Sequence, residues 1–125
     1  MKMKKINAKT KDNNYSIYLG NNILNLLEKK IKESCPNTIK IAIILDSKIP
    51  NKFKKKIKIM LKKYELYVCI FNSSEKNKNI KYSNIIIEKL LLNKFSRTDL
   101  IIGIGGGIVG DVSGFIASIL KRGIN

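Results

Sequence analysis

The sequence predicts an α/β domain: a mainly parallel β-sheet with helices on its faces, preceded by an antiparallel β-hairpin. Three observations carry this. After residue 38, apolar runs of strand length alternate with amphipathic segments of helix length, the pattern of βαβ crossovers. Those runs are almost continuous in Ile, Leu and Val rather than alternating with polar residues, as suits parallel strands covered on both faces. The first twenty residues instead hold two short strand patterns around a polar turn. At 125 residues and 44% hydrophobic content, the chain is one domain by length and large enough to bury a core.

Taken in order, "MKKINAKT" and "YSIYLG" form the hairpin around Lys11-Asp12-Asn13-Asn14. Residues 22–33 turn helical, with Ile23, Leu24, Leu26, Leu27 and Ile31 on one broad apolar face and Asn21 as the expected N-cap. Cys35-Pro36-Asn37 breaks that helix. "TIKIAIILD" is the first buried strand and ends at Asp46. "IPNKFKKKIKIMLKKY" is an amphipathic helix with Pro50 near its first turn. Phe53, Ile57, Met60 and Leu61 face inward, and its lysines form the solvated side. Residues 64–71 are the next strand and "NSSEKNKN" a polar loop. "IKYSNIIIEKLLLNK" is a helix with Tyr82, Ile85, Ile86 and Leu90 set to face a core, and residues 99–104 are the last buried strand. The residues after the glycines that follow are helical to about Leu120.

Charge bounds the function. Twenty-five Lys and Arg against nine Asp and Glu give a formal charge of +16, which first suggests nucleic acid or an anionic surface. Only Arg97 and Arg122 are arginines, however, and the lysines are spread along the whole chain. A reader of phosphates and bases uses the bidentate arginine fork, so the lysine, asparagine and isoleucine excess reads as compositional drift and predicts no specific nucleic-acid partner. There is no histidine, and Cys35 and Cys69 stand far apart, so no metal-ligand spacing exists; two thiols fit a reducing cytoplasm. The basic start lacks an apolar core behind it and is not a signal peptide.

The segment "LIIGIGGGIVGDVSGFIASILKRG" carries the chemistry. A buried strand running into Gly105-Gly106-Gly107 and then a helix is laid out as an anion-binding turn, because glycines let backbone approach a ligand and a helix start aims unpaired N–H groups at negative charge. Asp111 is expected in the first turn of that helix, where the macrodipole favours a carboxylate. Gly110, Ser113, Gly114, Ala117 and Ser118 keep one face small, which permits close approach of the sheet, another helix or a second subunit. A tight packing turn is the plainer reading of the same glycines. A membrane span is disfavoured: Asp111 near its middle costs roughly 3 kcal/mol, and three adjacent glycines break the helix.

These residues resemble a known family. Gly105-Gly106-Gly107-Ile108-Val109-Gly110-Asp111, then Ser113-Gly114-Phe115-Ile116-Ala117 and Arg122-Gly123, are similar to the GGGxxGD…GF…RG pattern of 3-dehydroquinate synthase. Tyr15–Gly20 resembles the family's early hairpin strand, and Arg97 a common Asp-Arg position. The resemblance implies a Rossmann-like, NAD-binding fold. It gives Asp46 as a contact to the adenosine ribose, and Ser73, Ser74, Glu75 and Lys78 as a cofactor loop. Gly106, Gly107, Ile108, Val109, Gly110 and Asp111 become the floor of the cofactor site, and Arg122 a contact to substrate phosphate. Ser74 stands where the family has glycine, so the loop is expected to reach positive φ less easily.

The same resemblance covers the whole chain but only the N-terminal part of the family's length. Residues 1–125 are therefore expected to be the N-terminal NAD-binding domain, truncated at its C-terminal end. The family's catalytic lysines and its helical metal-binding domain, where a Glu and two His hold zinc or cobalt, have no counterpart here. As the resemblance implies, the full enzyme converts 3-deoxy-arabino-heptulosonate 7-phosphate to 3-dehydroquinate and phosphate in the shikimate pathway. The 125 residues alone are expected to be inactive. The implied partners are NAD and a sugar phosphate, with a homodimer compatible with the small helix face, and neither a specific nucleic acid nor a membrane. Two alternatives stay open: a fragment of a sister sugar-phosphate cyclase, which shares the glycine stretch, and a non-catalytic nucleotide-binding or subunit-interaction module.

Overall fold

The computed structural model describes residues 2–125, and these fall into two compact units, residues 2–34 and 35–125. In the first, β1 (Lys4–Lys9) and β2 (Asn14–Leu19) pair antiparallel with Ile6 opposite Ile17. The turn between them is closed by the Thr10 amide donating to the Asn13 carbonyl at 2.8 Å. The helix that follows begins otherwise than the sequence suggests. Asn22, not Asn21, precedes it, in the left-handed conformation (φ 58°) and without a side-chain cap. A 3-10 turn, Ile23–Leu26, then leads into α1 (Leu27–Ser34). Asparagine is among the few residues that tolerate that conformation, so it serves as a bend rather than a cap.

The second unit holds the parallel sheet. β3 (Lys40–Asp46) lies between β4 (Glu65–Phe71) and β5 (Leu100–Ile104), in the order β4-β3-β5. Helix α2 (Asn51–Met60) links β3 to β4, α3 (Ile80–Leu92) links β4 to β5, and α4 (Gly107–Ile119) follows β5. Successive side chains of a strand point to opposite faces, and β3 shows this in full. Ala42 and Ile44 join a cluster with Ile86 and Leu90 of α3 and Val109, Val112 and Ile116 of α4. Ile43 and Leu45 point the other way, toward Ile57 of α2. Pro50 stands just before α2, where its missing N–H costs nothing.

Two expectations about burial are corrected. Only β3 is buried from Ile41 to Asp46; β5 is half-buried and Ile70 of β4 is exposed, because β4 and β5 are the outer strands of a three-stranded sheet. In α3, Ser83, Ile86 and Leu90 form the buried stripe while Tyr82 and Ile85 face out. Apolar residues surround most of that helix, so their spacing does not single out one face.

Candidate functional site

The candidate residues gather at the carboxyl ends of the three parallel strands. β3 leads into α2 and its neighbour β5 into α4, and these two helices cover opposite faces of the sheet. The chain therefore parts between β3 and β5, and such a divergence leaves a crevice where ligands of open α/β sheets bind. Asp46 ends β3 on one side of it and Gly105 follows β5 on the other. The approach is close: a Cβ added to Gly105 would lie 3.0 Å from Asp46 Cβ and 2.7 Å from Val109 Cγ2.

Asp46 is buried, at 8% exposure, and both its oxygens are engaged. Oδ2 accepts from Ser73 Oγ at 2.6 Å, and Oδ1 accepts from the Lys48 amide at 2.9 Å. The Ser73 hydroxyl, then the Lys48 amide, hold its pKa below the usual carboxylate range against the opposing effect of burial. A carboxylate oxygen has two acceptor sites, so each retains capacity for one further donor.

The glycines differ from one another. Gly105 is required by packing, whereas a Cβ on Gly106 or Gly107 would meet, among the described residues, no atom within 4 Å beyond its chain neighbours and its own helix backbone. Neither has a positive φ. No contact among the described residues thus demands glycine at 106 and 107; their effect is to leave backbone bare at the start of α4, beside the crevice. α4 starts at Gly107 without a side-chain cap, and its first return bond runs from the Gly110 amide to the Gly106 carbonyl at 3.1 Å. The amides of Gly107, Ile108 and Val109 accordingly have no intrahelical acceptor and lie at the positive end of the helix dipole. Val109 is fully buried, its amide included, while Ile108 packs its side chain against the core and offers backbone rather than side chain.

The loop after β4 supplies the third wall. Ser74 is extended (φ −140°) ahead of a 3-10 turn, Glu75–Asn77, so serine in place of glycine carries no left-handed strain here. Lys78 Nζ reaches Asp111 Oδ2 at 2.8 Å, tying this loop to α4. The hydrogen bond and charge of Asp111, with Glu75 nearby, raise the Lys78 pKa. Asp111 lies in the second turn of α4, not the first, because the helix begins at Gly107. Beside the pair opens a cavity of ≈ 250 Å³ lined by Asn79, Ser83, Val112 and Phe115.

Arg122 is not brought to this crevice. It lies beyond the far end of α4, whose 13 residues span roughly 20 Å, in a left-handed turn with Lys121 (φ 64° and 52°). Asn79, Ser83 and Phe115 were not singled out as site residues in the sequence. The available signals were Asn79 ahead of a helical pattern and Phe115 four residues after Asp111, on the same helix face. Among the described residues no three His, Cys, Asp or Glu come together as a metal could require, so the residues present do not fit the family's zinc or cobalt. A larger cavity of ≈ 780 Å³ lies within the first unit and is lined by none of the candidate residues. Among the described residues no helix is long and apolar enough to cross a membrane.

The fold has counterparts among solved structures. A crystal structure of 2-deoxy-scyllo-inosose synthase superposes with a TM-score of 0.83 at 21% identity, covering 97% of this chain and 34% of that one. A second, of 2-deoxy-scyllo-inosose synthase complexed with carbaglucose-6-phosphate, NAD+ and Co2+, gives 0.80 at 19% identity, covering 97% and 33%. The sequence narrows the class. Residues 68–125 match the family model described as 3-dehydroquinate synthase N-terminal. The 3-dehydroquinate synthase of Pelagibacter ubique (strain HTCC1062) is 43% identical over 120 residues, which cover 96% of this chain and 33% of that protein. Over nearly all its length the chain is thus similar to part of a 3-dehydroquinate synthase, as the glycine stretch led one to expect, and it spans about a third of that relative's length.

Proposed function

We propose that residues 1–125 are the NAD-binding domain of a 3-dehydroquinate synthase. The observation that carries the reading is the bare backbone at Gly106 and Gly107, opening on the crevice between Asp46 and α4. The free amides of Gly107 and Ile108 take the pyrophosphate, as helix starts do in dinucleotide sites. Asp46 takes a hydroxyl of the adenosine ribose on its remaining lone pairs. Ser73, Ser74, Glu75 and Lys78 border the cofactor, with Gly110 and Asp111 on its nicotinamide side. The ≈ 250 Å³ cavity beside Lys78 is below the 300–1,000 Å³ typical of small-molecule sites. It suits one end of a dinucleotide rather than the whole.

Held by these residues, NAD would supply reversible hydride transfer at a substrate carbinol carbon. This chain's residues bind and orient it. The whole enzyme would convert 3-deoxy-arabino-heptulosonate 7-phosphate to 3-dehydroquinate and phosphate. The 43% identity to a 3-dehydroquinate synthase supports this substrate over that of the inosose synthases, at 21% and 19%. In this reading the 125 residues bind NAD without turning substrate over, and no step through a metal falls to them. Calorimetric titration of NAD into the chain tests it. Saturable binding that Gly107→Ala abolishes is expected; no binding, or affinity untouched by Gly107→Ala, overturns it.

A further inference from the structure

The Ser73–Asp46 hydrogen bond does more than either residue's place on the sheet requires. Asp46 closes an Asx turn through Oδ1 and the Lys48 amide two residues on, which needs one carboxylate oxygen only. The second oxygen is held separately by Ser73 Oγ at 2.6 Å, from 27 residues away and from the neighbouring strand's loop. That loop is itself fixed at its base, where Asp46 pairs with Phe71 and the Ser47 amide donates to the Phe71 carbonyl at 2.8 Å. On the β5 side the carboxylate's stem is confined by Gly105, where even a Cβ would come within 3.0 Å. Asp46 is therefore gripped from β4, from its own turn and from β5. The charged groups near it are Lys48 of that turn and Lys54 of α2.

We infer that Ser73 is a positioning residue that turns the Asp46 carboxylate toward the crevice, making the site select NAD over its 2′-phosphorylated form. The inference rests on the NAD reading above. A fixed carboxylate accepts from a ribose hydroxyl and repels a phosphate in the same place. A carboxylate free to rotate toward Lys48 or Lys54 would do both less well. Ser73 acts through Asp46 here, and its own contact to the cofactor is not needed.

The test is calorimetric titration of NAD and NADP, at one fixed salt concentration, into the 125-residue chain and its Ser73→Ala and Ser73→Thr variants. NMR titration of the Asp46 carboxyl and a thermal melt accompany each variant. For Ser73→Ala, NAD affinity is expected to fall about tenfold, as for a lost hydrogen bond at the ligand. NADP affinity holds or rises, and the Asp46 pKa moves up. Ser73→Thr, which keeps the hydroxyl, restores all three. Equal losses for NAD and NADP would make the hydroxyl merely structural and overturn the inference, as would unchanged affinities. Should Ser73→Ala fail to fold, the near-isosteric Asp46→Asn must raise NADP relative to NAD, and an unmoved ratio overturns the inference. A wild-type chain that binds neither dinucleotide removes the NAD reading and this inference together, which separates the two failures.

Discussion

Gly105, Gly106 and Gly107 are adjacent in the sequence and differ in what a methyl group would do. At 105 it would strike Val109 and crowd Asp46, so Gly105→Ala is expected to cost about 1–3 kcal/mol through overpacking. At 107 it would point into open space from the first residue of a helix. There alanine stabilises by up to about 1 kcal/mol, because the unfolded chain loses freedom and the folded one gains no clash. Urea unfolding of both variants reads the difference directly. Combined with NAD titration, it sets a sharp pattern for Gly107→Ala: equal or higher stability with lost cofactor affinity. Stability lost at both positions would mean that 106 and 107 are packing glycines after all.

The elements are secured by polar groups whose positions the sequence only hints at. Asn79 caps α3, its side chain accepting from the Tyr82 amide at 3.0 Å, and Asn79→Ala is expected to cost about 1 kcal/mol in equilibrium unfolding. α4 is tied to the sheet differently. Ser113 is buried against Gly103, and its hydroxyl has no hydrogen-bond partner among the described residues. Ser113→Ala keeps the small volume that this close approach needs and removes an unsatisfied group. It is expected to be neutral or to stabilise by about 1 kcal/mol. At the amino end of the sheet, Asp99 joins the start of β5 to that of β3. Burial raises its pKa, but bonds from the Ser96 and Lys40 amides, the Ser96 hydroxyl and the Ile39 amide outweigh it and leave the value lowered.

For the whole molecule, that lowered value becomes an acid limb of stability. A carboxyl whose folded pKa lies below its unfolded one contributes fully above the ordinary value, about 3.9. The contribution is lost as pH falls below that toward the folded value. Asp99 and Asp46 share this sign. Thermal melts should therefore give a Tm that is level near neutrality and falls below about pH 4, with a shallower fall in Asp99→Asn. The formal charge of +16, spread over dispersed lysines, sets a second property. Binding to DNA or heparin should be indifferent to sequence and collapse between 50 and 200 mM salt as counterion release requires. Salt-resistant, sequence-selective binding in a filter or anisotropy assay would contradict it.

The order of strands and helices was legible because hydrophobic runs and their periods are local properties of the chain. So was the glycine turn, since a strand, three glycines and a helix are contiguous. The hairpin was legible for the same reason, from two short patterns around Lys11–Asn14. Which face of α3 is buried was not, because Ile85 is as apolar in the sequence as Ile86 and Leu90 and Tyr82 adds a large ring at the same spacing, and only the neighbouring α4 and β4 choose between them. Nor could the sequence say that Ser73 holds Asp46 or that Lys78 meets Asp111. Those facts follow from the strand order β4-β3-β5 and the helix offset, which non-local backbone pairing and side-chain packing decide. Composition and spacing specify segments; contacts between residues far apart in the chain exist only once the sheet has chosen its neighbours.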